Sequence, residues 1–273
     1  MKNLFLFLFL LVVFTSKAQD NRVSGLNSRQ FTKYWKVESE SPDYKVTFQG
    51  DTAEIVSPKG LTLWRKEKMS GKVTIEYDAC VVVESDGDRL SDLNCFWMAS
   101  DPQYPDNLWK REKWRSGIFL NCYSLQLYYL GYGGNHNSTT RFRRYDGDES
   151  GITNPKARPA ILKEYTDAGH LLKPNHWYHI KITNENNRVS YYIDGERLVD
   201  FRDAEPLREG WFGFRTTLSR TRITNFSYEC SSQEAAAVPL QWIGETPRQD
   251  KAVSFGVPFD KGEVFPENKL RLS

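Results

Sequence analysis

From about residue 30 to residue 230 the chain reads as short stretches in which β-branched and aromatic residues alternate with polar ones, broken repeatedly by Gly, Asn, Asp and Pro. Such stretches fall at 45–48, 53–56, 61–64, 73–83, 95–99, 117–121, 125–130, 139–145, 177–184, 188–193, 210–215 and 221–228. No long segment carries a helical apolar period. Many short strands at this spacing bury their apolar faces only by stacking two sheets or closing one into a barrel. The predicted fold class is all-β.

The N-terminus differs in kind. Lys2 precedes an apolar run over residues 4–14, and Ser16-Lys17-Ala18 ends in small residues before Gln19, the pattern of a secretory signal peptide. The run is shorter than the roughly 20 residues a spanning helix needs. The expected organisation is a signal peptide at 1–18, one β-domain at 19–232, and a C-terminal extension or remnant of a further domain at 233–273, after the linker-like Glu234-Ala235-Ala236-Ala237. The expected location is the periplasm or beyond. A mean hydropathy of −0.61 excludes a polytopic membrane protein, and no membrane span is expected.

Charge narrows the partners. Lys and Arg number 37 against 35 Asp and Glu, a net +2, so no overall field draws the chain to nucleic acid, which is not an expected partner. Attraction to an anion has to be local. Cys80, Cys95, Cys122 and Cys230 form no CxxC. They are read as structural, either bridged in one of three pairings or as small buried side chains.

Residues 176–196 hold two alternating strands around a polar turn, then the Asp194-Gly195 turn. Gly210-Trp211-Phe212-Gly213-Phe214-Arg215 follows. This order resembles the concanavalin A-like lectin and glucanase proteins. The resemblance implies an antiparallel jelly-roll sandwich whose usual sugar site is the concave face of one sheet. The tail string Ser254-Phe255-Gly256-Val257-Pro258 with Lys261-Gly262 resembles the first strand of exo-rhamnogalacturonan-lyase-like proteins, which implies a setting of pectin-like or uronic-acid-containing substrates.

Chemistry concentrates between residues 128 and 145. Gly131, Gly133 and Gly134 fall within four residues, where they permit a tight turn or a close approach of backbone to ligand. Asn135, His136, Asn137, Ser138 and Thr139 follow. Beyond them Arg141, Arg143 and Tyr145 share one strand face and Phe142 and Arg144 the other. Removing the proton beside a uronic acid's carboxylate requires that carboxylate to be neutralised, for which the arginine fork is suited. A His or Tyr then moves the proton and a second such group protonates the leaving oxygen. On this reading Arg141 and Arg143 hold the carboxylate, and His136 acts as base or acid. Tyr145 or Tyr132 makes the complementary transfer, while Asn135 binds the sugar or its carboxylate and Asn137 is a further substrate-binding residue. No metal or cofactor is called for. The competing reading of the same arginines is a solvated strand face.

A second region, 94–117, offers Trp97, Trp109, Trp114 and Arg115 for stacking and charge. His170 is a further candidate in a loop, whereas His176 and His179 belong to a strand start and are read as structural. The GxSxG, HExxH, P-loop and EF-hand templates are missing, and the acidic strings sit in turns, so a two-carboxylate glycosidase ranks below a lyase.

The strings N-C-F-W-M-A-S-D-P (94–102), G-Y-G-G-N-H-N-S-T-T-R-F-R-R-Y (131–145) and G-W-F-G-F-R-T (210–216) together resemble a family of secreted jelly-roll proteins of bacterial polysaccharide-degradation loci. That family is similar to an oligosaccharide dehydratase of ulvan breakdown. The resemblance implies a carbon-oxygen lyase acting on acidic, ulvan- or pectin-like oligosaccharides and leaving an unsaturated terminal uronic acid. Two alternatives stay open: a non-catalytic module binding acidic polysaccharide, and a glycoside hydrolase.

Overall fold

The computed structural model describes residues 22–231, so the expected signal segment and the 233–273 extension lie outside the described residues. Strands β1 (Arg22–Ser24), β2 (Trp35–Ser39), β3 (Lys45–Gln49), β4 (Thr52–Arg65), β5 (Met69–Ser70), β6 (Lys72–Val81) and β7 (Leu93–Ser100) come first. They are followed by β8 (Gln126–Gly133), β9 (Thr139–Asp146), β10 (Lys163–Tyr165), β11 (Trp177–Glu185), β12 (Arg188–Ile193), β13 (Glu196–Arg202) and β14 (Glu209–Ser231). Every pairing among them is antiparallel.

Two strands are long because each belongs to two layers. The first part of β14 lies between β7 and the second part of β4, with Gly213 opposite both Phe96 and Trp64. The register then shifts between Thr217 and Ser219, where Leu218 takes a left-handed φ of 49°. Beyond the shift β14 lies between β6 and the first part of β4, with Ile223 opposite both Ala79 and Ala53. One layer therefore runs β10-β9-β8-β7-β14-β4-β2 and the other β13-β12-β11-β6-β14-β4-β3.

Alternation decides what fills the space between them. Val73, Ile75, Tyr77, Ala79 and Val81 of β6 point inward from one layer, and Cys95 and Trp97 of β7 from the other. Across the gap Tyr77 meets Phe214 edge to face at 4.9 Å, and Trp97 meets Tyr191 at 6.1 Å. Burying each such side chain contributes about 1.5–3 kcal/mol. The molecule is the expected antiparallel jelly-roll sandwich.

Two local expectations are corrected. The stretches at 53–56 and 61–64 are one strand, as are those at 210–215 and 221–228, because their turn-like junctions bend the strand into the next layer without ending its ladder. Residues 117–121 are not a strand. Ser116 and Gly117 both have left-handed φ, 47° and 71°, and the chain then winds into a 3-10 turn over Leu120–Ser124. A Cβ on Gly117 would lie 2.7 Å from the Gly60 carbonyl oxygen, so that close approach requires glycine. All four cysteines are free thiols. Among the described residues no helix is long and apolar enough to cross a membrane.

Candidate functional site

Register sets the outer face of the first layer into rows. Glu38, Thr62, Arg215, Asn94, Gly131, Arg141 and Glu164 stand opposite one another in turn across seven strands. The adjacent row holds Lys36, Trp64, Gly213, Phe96, Tyr129 and Arg143. A polar row thus borders an aromatic one.

Residues 101–125 close over part of this face. Arg115 is fully buried, donating to Glu38 at 3.0 Å and to the Leu108 carbonyl at 2.6 Å. Arg111 grips Asp101 through two hydrogen bonds of 2.7 and 2.9 Å. Beneath this cover Trp64, Phe96, Tyr145 and Trp211 form a second apolar cluster with Leu108, Cys122 and Tyr123. Arg215 is covered too, donating to the Gly117 carbonyl.

The other half of the rows reaches solvent at Arg141, Arg143 and Glu164, while Asn94, Gly131 and Tyr129 are buried beside them. Arg141 and Arg143 are half-buried; Arg141 donates to Glu164 at 2.5 Å and Arg143 to the Pro159 carbonyl. Asn94 donates to Asp92 at 3.2 Å, and its buried carbonyl oxygen has no donor. Asp92 in turn meets Arg89 at 2.9 Å. Tyr129 stands between these groups, 8% exposed, its ring 5.6 Å from that of Phe119. Burial raises its phenol above the usual tyrosine value, helped by the Asp92 charge, while Arg215 and Arg143 oppose the rise. At neutral pH it is a protonated donor flanked by cations.

The expected site residues separate. Arg141 and Arg143 do share a face with Tyr145, but Tyr145 is sealed in the second cluster with its hydroxyl unpartnered, so it cannot reach a ligand. Trp97 is likewise enclosed between the layers, and Arg115 is locked in its buried ion pair. Asn137 is spent on structure, donating to the Leu172 carbonyl at 2.9 Å and accepting from the Leu172 N–H at 2.8 Å. His136 and Asn135 are exposed at the hairpin end, both with left-handed φ. Arg143 lies four residues up β9 from Thr139, a rise of about 13 Å. Tyr132 points to the opposite side of its strand, where it joins His170, His176, Tyr178, Asp194 and Glu196 around a cavity of about 140 Å³ at one end of the sandwich. There His170 bonds to Asp167 at 2.7 Å and stacks on Tyr165. Trp114 is exposed beside Arg111, and Trp109 packs against Trp211.

Sequence reasoning passed over Asn94, Tyr129 and Arg215. Alternation carried the signal, since inward Cys95, Tyr128 and Phe214 force these neighbours outward.

Comparison with known proteins agrees with the fold. A protein of unknown function with a galectin-like fold from Bacillus subtilis superposes with a TM-score of 0.61 at 15% identity, over 78% of this chain and 96% of that one. The VIP36 exoplasmic/lumenal domain in its Ca2+/Man3GlcNAc-bound form gives 0.51 at 9% identity, over 80% and 91%. The carbohydrate-binding module CBM66 from Bacillus subtilis gives 0.48 at 16% identity, over 71% and 94%. No curated protein matches the sequence. Residues 236–273 match the PcRGLX-like N-terminal RIFT barrel domain, in line with the resemblance of the tail. Residues 55–226, well over half of the chain, match the domain of unknown function DUF6250, and the chain belongs to that family.

Proposed function

We propose that this protein binds acidic oligosaccharides, as a non-catalytic module, on the open half of the outer face of its first layer. The observation that carries the reading is the cross-strand set Asn94, Gly131 and Arg141, bordered by Tyr129 and Arg143. Two guanidinium groups suit a carboxylate, and Asn94 and Tyr129 offer hydrogen bonds to sugar hydroxyls. VIP36, of like fold, has been seen with a mannose-containing glycan. Binding is favoured over turnover because His136 and Tyr145, the groups expected to move protons, lie outside this set.

One observation favours a second reading, β-elimination at the same place: Tyr129 stands directly opposite Arg143, so a hydroxyl able to pass a proton to a leaving oxygen neighbours a cation able to hold the carboxylate. The ulvan-dehydratase likeness belongs with this reading. The same proposal takes residues 1–18 as an export signal and 233–273 as an extension or remnant of a further domain.

The test is calorimetric titration with saturated uronic-acid oligosaccharides, alongside ultraviolet absorbance of the conjugated uronate. Binding lost in Arg143→Ala, with no absorbance rise, supports the module. A rise overturns it in favour of elimination, and no binding by the unaltered chain overturns both.

A further inference from the structure

We infer that the outer face of the second layer carries a separate groove for one extended anionic polysaccharide chain. Its floor is a row of small hydroxyls, Thr74 of β6, Thr183 of β11 and Ser190 of β12, opposite one another in turn. Along one side Glu185, Arg188 and Arg202 are again opposite in turn, with Lys72 paired to Glu185 at 2.7 Å. Along the other stand Tyr192 and Arg197. Together these line an open groove of about 490 Å³. Arg188 and Tyr192 are four residues apart on one strand, which sets the walls about 13 Å apart. That is room for a single sugar chain and too little for a duplex.

Charge selects the ligand. Lys72, Arg188, Arg197 and Arg202 line the groove against Glu185 alone. Asp200, at the groove's end, holds Arg188 at 2.6 and 2.7 Å and Arg197 at 3.2 Å. These pairs are exposed, so they contribute little and exchange readily for a ligand's carboxylate or sulfate. The hydroxyl floor matches sugar hydroxyls, and the Tyr192 ring offers a stacking face. A nucleic-acid single strand is bound on successive aromatic platforms, whereas Tyr192 is the one aromatic among these lining residues. The groove is on the opposite layer from Arg143 and does not depend on the function proposed above.

Titrating the full chain with short galacturonic acid oligomers tests this. Arg188→Ala/Arg202→Ala is expected to weaken one binding event about tenfold or more, the cost of lost charged hydrogen bonds, while leaving any Arg143-dependent event in place. Arg202→Gln alone shifts it in the same direction, and circular dichroism reports that the fold is kept. A binding event that survives Arg143→Ala but not the double variant upholds the groove even where the first site fails. Unchanged affinity in the double variant, uptake only through Arg143, equal binding of neutral dextran, or tighter binding of oligothymidylate overturns it.

Discussion

The phenol of Tyr129 occupies the space that a side chain on Gly131 would take: a Cβ there would lie 2.3 Å from Tyr129 Oη. Gly131→Ala is therefore expected to push the tyrosine out of place, cost about 1–3 kcal/mol as overpacking does, and lower affinity for acidic oligosaccharide more than Tyr129→Phe. Titration and thermal melts of both variants check the order.

Asn94→Ala removes both a hydrogen bond to Asp92 and a buried, free acceptor. Weakened oligosaccharide binding with a stability loss of about 1 kcal/mol is expected, read by titration and urea unfolding. Unchanged affinity would place the ligand elsewhere on the face.

Asp203 ties the two layers at one side. It is buried and accepts from Tyr128 Oη at 2.6 Å and Arg144 Nε at 2.7 Å. Asp203→Ala leaves both donors without that partner and is expected to cost about 3 kcal/mol. Tyr128→Phe, which leaves the Arg144 pair intact, is expected to cost about 1 kcal/mol. Urea midpoints of the single and double variants give the coupling.

His170 gives a pH dependence of known sign. Burial works to lower its value, but hydrogen bonds to Asp167 and Glu196 outweigh this and the net shift is upward. A raised folded value means stability that is fully present below the unfolded value of about 6.5 and lost as pH rises through the folded one. Melting temperatures taken from about pH 5 to about pH 8 should show a fall for the native chain that is smaller in His170→Ala.

Burial pushes the thiols of Cys95 and Cys122 up to about 12. Both are expected to stay unlabelled by a thiol reagent in the native protein and to react on unfolding, because the thiolate is the reactive form. Raised thiol values also contribute stability that fades as pH climbs above about 8.5, the unfolded value. Rapid native labelling of either residue would contradict the packing.

Local pattern made the sandwich legible, since alternation over β6, β11 and β12 needs only period two and a buried face. The candidate site was legible only along one strand. Arg141 and Arg143 could be placed on one face because they lie on one strand; Asn94, Tyr129 and Arg215 could not be placed beside them, because that adjacency depends on registers between separate strands. Tyr145 misled for a related reason. It does share the arginines' face, and only the fold of residues 101–125 shows that this end of the face is covered.

Because β4 and β14 each run through both layers, the layers are joined by continuous strands among the described residues. Such a body cannot gape like a clam to admit a guest. On the functions proposed above, a ligand lands on surfaces already shaped, so encounter should be quick, ordering losses small, and selectivity written in the side chains of the two outer faces.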